Sequence, residues 1–477
     1  MKKDKKMKKF WETIGIFINS AFLILTVLLG ICVYSMGVLP DKYILVVNVT
    51  LAIMYMIMLI LYLVRKTKVF SALLMIVLCV VLSGGIYYIV EYNDMIEDIT
   101  EVNTVETHSV GVYVLNDSKF QVLEDMHKCK FGVLNEETNT FVQDTILNLT
   151  EDMGGDLDKN PYNEVSELME ALKNRTVGAV VLEESFLSIV SDLEEFAWVE
   201  TDLRKITEVA HEVEIVEKEE LVVPEEIDDT FIAYVSGIDT YGKIQSRSRS
   251  DVNILAVVNT TKKEILLLST PRDSYVVFDA SHNKKDKLTH AGIYGIDQSM
   301  NALERIYDID IDYYLRVNFS GFTDIIDAMG GVEVYSESAF KTYKKGMNHL
   351  NGTQALSFAR ERYSFSDGDY HRARNQMAVI QGVINKATSK ETLLNVTDVM
   401  AGVSGSFETN MPKEQIGELV QMQLNDMAEW KINSHTTKGT SRRATTYSMP
   451  GRSLYVIDLS EANIKESKEM IEAVCGK

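Results

Sequence analysis

Cysteine is scarce in this chain of 477 residues: there are four, Cys32, Cys79, Cys129 and Cys475. None has the CxxC-type spacing of a zinc or redox site, and no disulfide framework is present. Cys32 and Cys79 fall in apolar runs, which leaves only a Cys129–Cys475 bridge open as a pairing. Internal repeats and low-complexity tracts are lacking too. Positive charge is in deficit: 48 Lys and Arg face 69 Asp and Glu, for a net charge of −21. A negative field of that size repels nucleic-acid phosphates, so no nucleic-acid partner is expected.

What is present is long apolar sequence at one end. Residues 14–37, 42–64 and 69–90 hold almost no ionisable side chains, and each run has the length, roughly 20 residues, that a helix needs to cross a bilayer. Lys2, Lys3, Lys5, Lys6, Lys8 and Lys9 precede the first run, and Arg65, Lys66 and Lys68 separate the second from the third. The excess of basic residues in these two places predicts a cytoplasmic N-terminus and an exterior for everything after residue 91. Two further spans follow at once with no small-residue cleavage site, so a cleaved signal peptide is not expected. Ten of the basic but only three of the acidic residues precede residue 91, so the exterior part carries about −28. A basic cluster there is a local exception that calls for a local anion.

The expected organisation is a basic N-terminus at 1–13, three transmembrane helices at 14–90, an α/β domain at 91–225 and a second domain at 226–477. Residues 91–104 read as a polar exit from the third span. In the first exterior domain, 110–116, 130–135 and 177–184 read as strands and 163–174 as an amphipathic helix. No nucleophile constellation occurs there, which suggests an accessory role. The charge-dense stretch 214–230 reads as a bridge. Beyond it, strands at 231–237, 252–259, 264–270 and 313–319 interleave with helices at 296–308 and 369–388. That alternation predicts a three-layer α/β/α sandwich with a mixed sheet.

Ionisable groups recur where these strands end: Asp239 after the first, Arg247, Arg249 and Asp251 before the second, Arg272 and Asp273 after the third. Ligands of open α/β sheets gather at such ends. Two carboxylates beside several arginines are the parts of a Mg²⁺–phosphate site, because Mg²⁺ takes one or two carboxylates plus phosphate oxygens and guanidinium forks bind the rest. In the stretch LSFARERYSFSDGDYHRARNQ, Asp369, Arg372 and Gln376 share one helical face, while Arg374 points elsewhere. Arg360 and Arg362 end the preceding short helix, and His290 and His371 are weaker acid–base candidates.

Together these motifs resemble the LytR–CpsA–Psr family. The matching elements are GID at 237–239, RSD at 249–251, STPRD at 269–273, DKLTHA at 286–291, VNFSGF at 317–322, DAMGGVEV at 327–334, LNGTQALSFARER at 350–362 and DYHRARNQ at 369–376. The three-span anchor with an extra α/β domain is similar to the streptococcal capsule-locus branch. The resemblance implies phosphotransfer outside the membrane, in which a glycopolymer moves from undecaprenyl pyrophosphate to peptidoglycan. It implies Mg²⁺ on Asp239 and Asp251. Arg249, Arg272, Arg360, Arg362 and Arg372 are implied around the pyrophosphate with Asp369 orienting them, and Arg247, Asp273, Lys287 and Gln376 in substrate binding. Membrane proteins of capsule synthesis are the implied partners. One departure is visible: the family often has a second arginine directly before the glutamine, where this chain has Asn375. Two other readings compete, a non-catalytic polyprenyl-pyrophosphate-binding regulator of capsule synthesis and a pyrophosphate hydrolase.

Overall fold

A computed structural model of the chain describes residues 2–64, 66–100, 105–135, 140–191, 193–214, 227–238, 240, 247–394, 399, 402–403 and 405–476. Most of the expected bridge at 214–230, Arg65, and the side chains of the N-terminal lysines lie outside the described residues. Contacts divide the chain into two units. The first is Met1–Glu101 with Ile384–Ser404 and Met411–Glu429; the second is Val102–Val383 with Gly405–Asn410 and Trp430–Lys477.

The first unit is built on α1 (Lys2–Ser35), α2 (Asp41–Leu63) and α3 (Lys68–Thr100). Thr13–Ser35, Asp41–Leu63 and Lys68–Asp94 have hydropathies of 2.6, 2.7 and 2.6, and each is long and apolar enough to cross a membrane. Phe22, Met58, Tyr62, Met75 and Leu82 fill the seam between the helices. Phe17, Leu45 and Val80 are exposed. Helices apolar all round show such side chains outward only to an apolar surrounding. Inside the bundle, the Ser71 hydroxyl donates to the Met58 carbonyl at 2.9 Å, a polar tie between α3 and α2.

The third helix does not stop at residue 90 but continues to Thr100. Tyr92 and Ile96, four residues apart, share a face and are buried beside Val38 and Val420, the last on helix Lys413–Asp426. Gly417 permits that approach, because a Cβ there would stand 2.5 Å from the Gly37 carbonyl. Gln421 Nε2 donates to the same carbonyl, and Lys413 Nζ donates to Asn93 at 2.9 Å. Part of the stretch expected in the domain at 226–477 therefore groups with the anchor helices.

The second unit contains two sheets. β1 (Val105–Leu115), β2 (Lys130–Leu134), β3 (Asp158–Tyr162), β4 (Ala179–Glu183) and β5 (Leu203–Glu214) form the first, in the order β3-β2-β4-β1-β5. α4 (Thr140–Met153) covers one face through Val142, Ile146 and Leu149. α5 (Val165–Lys173) and α6 (Glu184–Ser191) cover the other, and the short α7 (Val199–Asp202) follows. This second core takes in Ile293, Met449 and Leu454 from far downstream. Arg452 adds ion pairs to Glu170 at 2.5 Å and Glu195 at 3.3 Å. The accessory sheet and the region after it thus share one core instead of standing as separate bodies.

The second sheet follows from a longer list of elements. These are β6 (Thr230–Ile238), β7 (Ser250–Asn259), β8 (Glu264–Ser269), the pair β9 (Tyr275–Val276) and β10 (Asp286–Lys287), α8 (Leu288–Ala291), α9 (Ile296–Tyr307), β11 (Tyr313–Val317) and α10 (Phe319–Ala328). Then come the pair β12 (Val332–Ser336) and β13 (Gly346–Leu350), α11 (Gly352–Arg360), α12 (Asp369–Ala387), β14 (Phe407–Thr409), β15 (Lys431–Thr436), the pair β16 (Gly439–Ala444) and β17 (Leu454–Leu459), and α13 (Glu461–Cys475). The six-stranded order is β14-β11-β6-β7-β8-β15. It is mixed: β11 runs parallel to β6 and β15 parallel to β8, while the other pairings are antiparallel. Ile254 and Leu255 are both fully buried, so β7 is covered on both faces and reads as a near-continuous apolar run. Leu303 of α9 and Ile471 and Val474 of α13 pack on Tyr234, Leu255 and Leu266. The chain is α/β with a mixed sheet, as the alternation of elements predicts.

Candidate functional site

The site begins where β7 starts and β8 ends. β7 opens at Ser250, two residues earlier than the apolar pattern indicated, so Asp251 lies within the strand. Antiparallel pairing of β7 with β8 brings that start beside the loop carrying Arg272. Arg272 Nη1 donates to Asp251 Oδ1 at 2.8 Å, and the Thr289 hydroxyl donates to the same oxygen at 3.1 Å. Thr289 N–H in turn donates to the Arg272 carbonyl at 2.9 Å, which ties the two segments. Burial pushes the Asp251 carboxyl up, but the guanidinium groups of Arg272, Arg249 and Arg372 outweigh it and hold the carboxyl below its ordinary value.

Lys287 and Asp273 stand beside this loop, 2.8 Å apart and both buried. Their charges neutralise each other inside the protein and brace the Arg272 turn, where the Asp273 carbonyl also accepts from Ile457 N–H at 2.8 Å. Arg249 is buried, and its Nη1 donates to the Ser188 carbonyl at the end of α6 at 2.8 Å. Arg247 Nη1 lies 3.4 Å from the Ile293 carbonyl.

The second half of the site comes from α11, the loop after it, and α12. Asn351 and Gln354 form a capping box that starts α11. Arg360 is its last residue, and Arg362 lies just past the end. Arg360 lays its guanidinium over the Phe319 ring, 4.2 Å from the centroid, a cation–π contact. On α12, Arg372 Nη2 is 3.1 Å from Asp369 Oδ1, and Arg362 Nη1 is 3.9 Å from the same oxygen. Burial lowers the Arg372 pKa. Attraction to Asp369 and Asp251 opposes this, and repulsion by Arg272 and Arg362 adds to it. The two halves therefore meet at Arg372. Gln376 is half-buried on the same helix.

Arg374 engages a different set of groups: Glu337 at 3.1 Å, Asp367 at 2.6 Å and His371 Nδ1 at 2.8 Å. His371 is buried and stacked on Phe365, with ring centroids 3.3 Å apart. His290 is fully buried and pairs with Asp286 at 2.7 Å, and the Ser448 hydroxyl joins both. Neither histidine faces solvent as a proton donor would. Asn375, at the position of the family's second arginine, is buried and donates through Nδ2 to the Phe358 carbonyl at 3.2 Å, which fixes α12 to the end of α11.

One residue escaped the sequence reading. Glu361, between the two arginines, is buried, pairs with Lys341 and accepts from Ser364 N–H at 2.9 Å. Burial alone would raise its pKa, yet Lys341 and the Ser364 amide bring it down to about 2. Glu361 thereby anchors the turn that presents Arg360 and Arg362. A glutamate flanked by arginines gives no spacing signal, since its partner lies 20 residues upstream.

The guanidinium groups of Arg249, Arg272, Arg362 and Arg372 gather around Asp251 and Asp369, while the nearby Asp273 is paired with Lys287. Such a gathering in a partly dry cleft is an anion site. Asp239 lies outside the described residues, and among the described residues no group of three or more His, Cys, Asp or Glu side chains could hold a metal. Asp251 suits the sparser Mg²⁺ arrangement, in which phosphate oxygens complete the shell. Both hydrogen bonds from Arg272 and Thr289 land on Oδ1, so Oδ2 keeps its lone pairs for a cation.

Known proteins share these segments. A polyisoprenyl-teichoic acid–peptidoglycan teichoic acid transferase TagU of Bacillus cereus is 36% identical over 188 residues, which is 38% of this chain and 61% of that protein. A protein of the same name from Enterococcus faecalis is 34% identical over 190 residues, 38% of this chain and 62% of that one. The chain thus spans about three-fifths of the length of these relatives. The crystal structure of B. subtilis TagV aligns with 52% of this chain and 99% of its own, at 24% identity and a TM-score of 0.45. The sequence pattern of the LytR_cpsA_psr family matches residues 199–470, more than half of the chain and the whole of the site just described, and the chain belongs to that family.

Proposed function

We propose that the chain is a membrane-anchored phosphotransferase that moves a glycopolymer from a polyprenyl-pyrophosphate carrier to peptidoglycan on the outer side of a cell membrane. The observation that carries the reading is the convergence of Arg249, Arg272, Arg362 and Arg372 around Asp251 and Asp369, positive charge that a pyrophosphate would meet. The TagU relatives' name supports the same substrate class. Three apolar helices keep the site near a lipid-borne substrate, with the N-terminus in the cytoplasm and residues 91–477 outside by the distribution of lysine and arginine. A capsular polysaccharide is the glycopolymer suggested by the extra α/β domain, and the membrane proteins of its synthesis are the partners.

In this reaction a hydroxyl oxygen of peptidoglycan attacks the glycan-side phosphorus. The bond from that phosphorus to the bridging oxygen breaks, and the bridging oxygen leaves with its electron pair on the lipid monophosphate. The hydroxyl proton passes to that phosphate or to water. Arg272 and Arg372 bind the pyrophosphate oxygens on which charge develops, Arg249 backs them, and Asp369 and Asp251 hold the forks in register. Mg²⁺ on Asp251 and Asp239 would add charge neutralisation on phosphate oxygens. The surrounding guanidinium groups disfavour a bare divalent ion, so such a cation would be held together with the pyrophosphate.

Full-length protein in lipid nanodiscs, given a lipid-pyrophosphate glycan, peptidoglycan and Mg²⁺, should attach glycan covalently to the wall polymer. Arg249→Ala should lower the rate by about 10²–10³. Tight donor binding without turnover would sink the proposal in favour of a regulator, and phosphate release that needs no acceptor would mark a hydrolase.

A further inference from the structure

A cavity of about 480 Å³ opens between the first sheet and the Arg247–Arg249 segment, and of the anion cluster only Arg249 is among its described lining residues. Its volume falls in the roughly 300–1,000 Å³ range of small-molecule sites. Ser109, Glu183, Ser185, Ser188, Arg247 and Arg249 are among its lining residues. Glu183 is buried and fixed by His108 at 2.9 Å, so its carboxylate is held rigidly at the wall. The Ser185 hydroxyl, on a residue only 7% exposed, has no hydrogen-bond partner among the described residues. An orphaned buried hydroxyl is unfavourable, and a ligand that hydrogen-bonds to it would remove that cost. Gly292 allows the close packing that shapes this wall, since a Cβ there would meet the Ser248 carbonyl at 2.9 Å.

Resting on the transferase reading, we propose that this cavity is the subsite for the acceptor saccharide, which it holds with one hydroxyl directed at the Arg249 end. The lining combines carboxylate acceptors, guanidinium donors and hydroxyls that do both, the set that vicinal sugar hydroxyls satisfy. Leu187 and Val199 add apolar patches for the C–H faces of a ring. Glu183, Glu184 and Glu200 make the cavity unfavourable for a second phosphate, so the donor's pyrophosphate stays on the arginine side. Arg249 joins the two sites: its Nη1 holds the Ser188 carbonyl of the cavity wall, while its charge acts on Asp251. A saccharide in the cavity therefore meets the anion cluster at the Arg249 guanidinium group.

The test uses full-length protein in nanodiscs and soluble peptidoglycan disaccharide and tetrasaccharide as probes, titrated without donor. Wild type and Arg272→Ala should bind the saccharides alike. Ser185→Leu, which fills the cavity, should weaken binding at least tenfold and raise the acceptor KM by a similar factor, with the donor KM unchanged. Glu200→Trp narrows the exposed rim without touching the core, and should act in the same direction should Ser185→Leu fail to fold. Equal saccharide binding and equal acceptor KM in wild type and a folded variant overturns the subsite while leaving the transferase reading intact. Saccharide binding lost in the variants, with no transfer by wild type, upholds the subsite and overturns the transferase reading. No saccharide binding by wild type overturns the subsite.

Discussion

The five-stranded sheet at 105–214 and the six-stranded sheet at 230–436 are both covered on two faces, but they treat buried charge differently. In the first, the buried His108 and Glu183 form a one-to-one contact 2.9 Å apart. In the second, some groups meet one to one as well: Arg316 and Glu408 pair at 2.6 Å, and Lys287 and Asp273 at 2.8 Å. Yet around Asp251 the second sheet gathers several guanidinium groups, at the cost of a lowered Arg372 pKa. A one-to-one buried pair holds a fold together, whereas several guanidinium groups gathered on one carboxylate suit an anionic ligand. The difference lies in bookkeeping of charge at the strand ends, since both sheets have equally apolar centres.

The strongest way to break this contrast is to remove a cluster arginine. Arg272→Ala should cut transfer by about 10²–10³ with little change in melting temperature. Arg175→Ala, which deletes an exposed pair with Asp117 beside the first sheet, should leave both activity and stability within experimental scatter.

A sharper comparison sits on one helix. Arg372→Ala should lower transfer and donor affinity at least tenfold, because it faces Asp251 and Arg272. Arg374→Ala, two residues on, breaks the surface pairs with Glu337 and Asp367, so it should cost about 0.2–1 kcal/mol of stability and leave kcat unchanged. Equal kinetic effects of the two substitutions would remove the distinction between the faces.

The last effect concerns acid and acts on stability alone. The folded pKa of Glu361, about 2, lies below its ordinary value of 4.5, so its stabilisation is complete above that value and is lost as pH falls from about 4.5 to about 2. Asp251, also lowered, acts in the same direction. Melting temperature followed through this window should fall in wild type and fall less steeply in Glu361→Gln. That variant should also start about 1–3 kcal/mol less stable, having lost a buried charge-assisted contact.

Much of this was legible in the linear chain. The three spans follow from uninterrupted apolar runs, and the alternation of strand and helix from periodicity; the arginine-bearing motifs carry the family resemblance on their own. Other features had no local signal. The third helix continues past its apolar run because Val420, over 300 residues downstream, covers Tyr92 and Ile96. Glu361 was passed over because its role depends on Lys341, and Asn375 looked like a missing arginine until its bond to Phe358 appeared.

The sequence by itself determined which elements form and which side chains carry charge, because helix and strand preference and membrane length are local properties. Only the tertiary structure decided which arginines share a carboxylate, that Ile293, Met449 and Leu454 join the core of the first sheet, and that Arg249 belongs to the arginine cluster and also lines a cavity. Desolvation and Coulomb energy depend on distances between residues far apart in the chain, and spacing along a sequence does not contain those distances.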